Sequence, residues 1–84
     1  MDREAEPSTP LSRLASKFGG VKAVADLANR SVKSVYRWAQ DTEDGGNGGL
    51  VPGPAQRKMV ANARARGLPL EFSEFAPREG ETVR

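Results

Sequence analysis

The chain has 84 residues, 37% of them apolar and 29% charged, with a net charge of +2 and neither cysteine nor histidine. That length builds one small domain with a modest core, too small for a buried cofactor beside a substrate cleft. Without cysteine or histidine there is no disulfide, no thiol or imidazole zinc site and no common general base, so no cofactor, no metal and no enzyme activity are expected.

Residues 1–8 show no periodicity and are expected to form a disordered tail. Thr9-Pro10 then reads as a helix start, a hydroxyl cap followed by proline at the first helical position. Leu11, Leu14, Ala15 and Phe18 recur at helical spacing, and Gly19-Gly20 stops the run. Val21, Val24, Ala25 and Ala28, with Leu27 alongside, predict a second helix of about two turns. Asn29 follows, a residue that accepts left-handed backbone geometry.

Ser31 can cap a third helix over 32–40. There Val32, Val35, Trp38 and Ala39 are expected inward, and Lys33, Ser34, Tyr36, Arg37 and Gln40 outward. Residues 41–49, with three acids and four glycines, predict a flexible loop. Val51-Pro52 precedes a fourth helix, with Gly53 as cap and Pro54 as first residue. Ala55, Met59 and Ala63 form its apolar stripe beside Val60, and Gly67 ends it. Leu68, Leu70, Phe72 and Phe75 form an apolar tail expected to fold back as a lid, with Ser73 capping a single turn. Residues 76–84 are expected to be disordered.

No strand pattern occurs. The predicted class is all-α, a compact four- to five-helix bundle over residues 9–75 that contains a helix-turn-helix. No apolar run approaches the roughly 18 residues of a membrane span, and MDREAEPSTP does not read as a signal peptide. A soluble cytoplasmic protein with no membrane partner is expected, and no small-molecule ligand is evident.

Charge is unevenly distributed. Residues 11–66 carry ten Lys/Arg against four Asp/Glu, whereas residues 1–10 and 67–84 each carry a balance of −2. A basic middle between acidic ends suits a polyanion partner. A solvated surface would carry the same charges.

The segment 21–38 meets three demands of a helix-turn-helix. Ala25 offers a small helix–helix contact. Asn29, four residues later, takes the turn. Val35 and Trp38 supply core contacts on the next helix, and Val24 and Ala28 complete the packing. The segment resembles the helix-turn-helix of the lambda-repressor and Cro-like family. Phe18-Gly19-Gly20, Ser31, Val35, Trp38, Val51-Pro52 and Gly67 extend that resemblance to small phage-type regulators over roughly residues 11–75. The chain departs from the pattern with Asn29 where glycine is commoner, with Arg30 where an aliphatic residue usually packs, and with a longer loop at 41–49.

The resemblance implies a sequence-specific regulator of transcription that binds double-stranded DNA, a repressor by default. It implies a homodimer on a palindromic site, with the third helix in the major groove. Ser31 and Lys33 would enter first, and Lys33 and Ser34 can bond a base or a phosphate. Arg37 is the best candidate for a bidentate guanine contact. Tyr36 can touch a thymine methyl or a phosphate, or pack in part against its neighbours. Arg30 can cover the core with its stem and reach a phosphate with its head. Lys22 and Lys17 flank the free N–H groups of the second helix, a place that favours phosphate; the alternative for both is a solvated surface, for Lys17 more than for Lys22. Arg57, Lys58, Arg64 and Arg66 form a second basic set that can flank the backbone or stay solvated. Asp26 reads as isolated and solvent-facing. The alternative is a protein-interaction module on the same scaffold, working within a larger transcription or phage complex.

Overall fold

In a computed structural model, which describes residues 9–81, four α-helices follow one another: α1 (Pro10–Phe18), α2 (Val21–Ala28), α3 (Val32–Ala39) and α4 (Gly53–Ala65). Two 3-10 turns, Thr42–Asp44 and Phe72–Phe75, complete the regular structure, and no strand occurs among the described residues. The expected tail at 1–8 lies outside the described residues.

The helix ends follow from local chemistry. Thr9 Oγ1 accepts from the Ser12 amide at 3.2 Å to cap α1, and Pro10 needs no donor partner there. Ser31 Oγ accepts from the Ser34 amide at 3.2 Å to cap α3. Three helices stop in the same way. After α1, α2 and α4 a left-handed residue reverses the chain, and the next amide bonds the carbonyl five residues back. These bonds are Gly20 to Ala15 (2.7 Å), Arg30 to Ala25 (2.9 Å) and Leu68 to Ala63 (2.8 Å). Asn29, at φ 57°, is the only described non-glycine residue with positive φ, as expected for an αL turn residue. α4 begins one residue earlier than predicted, at Gly53 behind a Pro52 cap.

One apolar cluster joins all four helices. Leu11 and Leu14 meet Val24, Leu27 and Ala28, then Val35 and Trp38, then Ala55, Met59, Val60 and Ala63. Asn62 Nδ2 donates to the Leu27 carbonyl at 2.7 Å, tying α4 to the last turn of α2. Leu70 and Phe75 are buried, so the apolar tail does close the core, but Leu68 and Phe72 stay exposed at 38% and 49%. The turn at Phe72–Phe75 is braced by a Glu74 carboxylate that accepts from the Glu71 amide at 2.9 Å, in place of the expected Ser73 cap.

Three expectations need correction. Val32 and Ala39 are exposed, because only Val35 and Trp38 of α3 point at the cluster. The stretch 41–49 is not a free loop. Gly48 and Gly49 donate to the carbonyls of Gln40 and Trp38 at 2.8 Å each, and the Gly49 carbonyl accepts from the Leu11 amide at 2.9 Å. The glycines permit this: a Cβ on Gly46 would strike the Arg37 and Gln40 carbonyls, and one on Gly49 would strike Thr9. Finally, residues 76–81 make contacts with α1, while the rest of the expected tail, 82–84, lies outside the described residues. Arg13 Nε reaches Glu81 Oε2 at 2.7 Å, and Arg13 Nη2 donates to the Ala76 carbonyl at 3.1 Å. Two long-range contacts thus fasten residues 76–81 to α1.

Candidate nucleic-acid interface

The unit of interest is α2, the turn at 29–31 and α3. α3 buries Val35 and Trp38, so its 3.6-residue repeat turns Lys33, Tyr36, Arg37 and Gln40 outward on one arc. All four are exposed, Tyr36 to 57%. Ser34 sits half-buried on one flank of this arc, its hydroxyl 3.2 Å from that of Ser31. Both hydroxyls therefore stand at the start of the helix, where amide N–H groups lack intrahelical partners.

Two shallow clefts flank this helix start. One, of about 400 Å³, is lined by Arg30, Ser31, Lys33, Ser34, Arg37 and Trp38. The other, of about 580 Å³, runs along α2 past Lys22, Ala25 and Asp26 to Arg30 and Val32. Arg30 belongs to both, so the clefts meet at the turn. Arg30, at the position where the resemblance would place a packed aliphatic residue, is exposed.

The basic residues fall into two groups. Arg13 pairs with Glu81, Lys17 with Glu74 at 2.6 Å, and Arg66 with Asp26 at 3.1 Å. Lys17 is therefore an ion-paired residue on the α1 side, its ammonium also 5.3 Å from the Phe18 ring centroid. The Arg13 guanidinium holds the Glu81 carboxyl below the usual range, against the opposing effect of burial. For Glu74, burial pushes up, but the Lys17 ammonium and the Glu71 amide outweigh it and hold the carboxyl low. By contrast, Lys22, Arg30, Lys33 and Arg37 make no ion pair among the described residues. Arg57, Lys58 and Arg64 on α4 are likewise exposed and unpaired.

All seven residues singled out from the sequence, Lys22, Arg30, Ser31, Lys33, Ser34, Tyr36 and Arg37, thus lie on the α2–turn–α3 unit. Six of them line the two clefts, and Tyr36 stands on the outer arc beside them. Asp26, read from sequence as isolated, is paired. Arg66 is the residue that sequence reasoning did not place here, because its partner lies 40 positions away. No group of His, Cys, Asp and Glu among the described residues could hold a metal ion. No described helix is long and apolar enough to cross a membrane. The chain matches no protein-family model, no curated protein and no solved structure.

Proposed function

We propose that α2, the turn and α3 act as a helix-turn-helix and that the chain is a sequence-specific regulator of transcription. In this reading the outer arc of α3 lies in the major groove of double-stranded DNA. Arg37 reads guanine through paired hydrogen bonds, with Lys33 and Ser34 on a base or a phosphate and Tyr36 against a thymine methyl. Lys22, Arg30 and Ser31 hold the phosphate backbone on either side. The chain works in the cytoplasm as a homodimer on a two-fold site, half-sites about one helical turn apart, and represses by covering a promoter. The Cro-like resemblance belongs to the same proposal.

The observation that carries this reading is the sorting of charge. Four cations that make no ion pair among the described residues line joined clefts around the α3 N-terminus, while the cations of α1 are neutralised and the unpaired Arg57, Lys58 and Arg64 lie apart on α4. A free cation releases condensed counterions when it meets a phosphate; a paired one must first give up its partner.

Selection of bound duplexes from a random pool tests the proposal directly. A single two-fold symmetric sequence is expected. If Lys22 and Arg30 of each protomer neutralise phosphates, a dimer's log affinity falls against log salt with a slope of roughly −4. Arg37→Ala should cost about 1–3 kcal/mol and flatten the preference at one position of each half-site. Salt-independent binding, or full specificity in Arg37→Ala, refutes the assignment.

The exposure of Leu68 and Phe72 favours one second reading, a protein-interaction module. Capture of a stable protein partner through Phe72, with no duplex retained, would select it.

A further inference from the structure

Asp26 is the one acid among the residues lining the two clefts. It stands on α2 one turn after Lys22, so the two share a face, and Arg30, past the left-handed Asn29, lines the same cleft. A bare carboxylate at that place would repel a phosphate lying between the two cations. Arg66, just past the end of α4, puts Nη1 3.1 Å from Asp26 Oδ2.

The position of Arg66 is set independently of that pair. Asn62, one turn earlier on α4, bonds the carbonyl of Leu27, the residue after Asp26. This fixes the end of α4 against α2 and delivers Arg66 to the α2 outer face. The pair is also too exposed to matter much to the fold: the side chains are 46% and 69% accessible.

We propose that Arg66 is a positioning residue for polyanion binding. Its guanidinium masks the Asp26 carboxylate and turns the stripe Lys22, Asp26, Arg30 into a continuous positive path for the DNA backbone. This inference rests on the nucleic-acid reading above. It differs from a direct phosphate contact, because Arg66 then matters only while Asp26 is charged.

A double-mutant cycle separates these cases. Wild type, Arg66→Ala, Asp26→Asn and the double variant are titrated by fluorescence anisotropy against a labelled mixed-sequence duplex of about 30 base pairs, nearly three helical turns. Thermal melts in parallel establish that each is folded. At low salt Arg66→Ala should weaken binding about threefold, the range of an exposed charge pair, and Arg66→Lys should restore it. In the Asp26→Asn background Arg66→Ala should change nothing. The coupling should shrink as salt is raised, since exposed charges are screened.

An equal loss in both backgrounds overturns the mask, because Arg66 would then touch the backbone itself. No effect in either background overturns it too. Wild-type protein that binds no duplex sinks the proposed function and this inference together, whereas wild-type binding without coupling sinks only the inference.

Discussion

Gly49→Ala tests whether residues 41–49 form a joint between α1 and α3. Gly49 sits at φ 93°, and a Cβ there would lie 2.7 Å from Thr9 Oγ1 and closer still to Thr9 Cβ. Gly45 offers the matched control. Its φ is 84°, but a Cβ there meets nothing within 4 Å. Gly45→Ala should therefore cost only the left-handed backbone penalty, about 1–2 kcal/mol. Gly49→Ala adds steric overlap worth about 1–3 kcal/mol, for a total of roughly 2–5 kcal/mol. At about 0.05–0.15 kcal/mol per residue, a chain of this size holds only several kcal/mol, so the larger loss approaches its whole stability. Urea unfolding followed by far-ultraviolet circular dichroism measures both variants. The midpoint should fall clearly further for Gly49→Ala at an unchanged slope. Equal shifts would show that Gly49 has room beside Thr9 and that the joint does not exist.

Ser31→Ala removes the cap of α3 and should cost about 1 kcal/mol in the same assay, with a loss in duplex affinity beyond the loss in folded protein if the hydroxyl also meets phosphate. The Glu74 and Glu81 carboxyls predict an acid limb. Both lie below their ordinary value of 4.5 in the folded chain, so their contribution is complete above that value and drains away as pH falls through the folded-state values. Urea midpoints measured from neutral pH downward should be level and then drop in acid. The double variant Glu74→Gln, Glu81→Gln should flatten that drop.

The helices were legible because their signals are local. Thr9-Pro10, Ser31 and the left-handed positions Gly19, Asn29 and Gly67 each act within one turn of chain, and spacing alone places Val35 and Trp38 inward. The stretch 41–49 was not, because its composition is that of mobile chain. Its glycines serve another end, letting backbone close on the Arg37 and Gln40 carbonyls and on Thr9, and only tertiary structure brings those groups together. Val32 and Ala39 were misplaced because an apolar residue on a short helix need not face the core. The candidate site was legible as a set of residues. Its electrostatic state was not: Arg13 finds Glu81 across 68 positions and Lys17 finds Glu74 across 57, pairings that no spacing rule encodes.

Trp38 is the only tryptophan in the chain. The residue is 6% exposed, yet it lines the cleft shared by Arg30, Ser34 and Arg37. Trp38 is therefore shielded from bulk water but adjacent to whatever fills that cleft. The chain carries its own optical reporter at the candidate site, and its emission should register occupancy there without a label, a tag or an added residue.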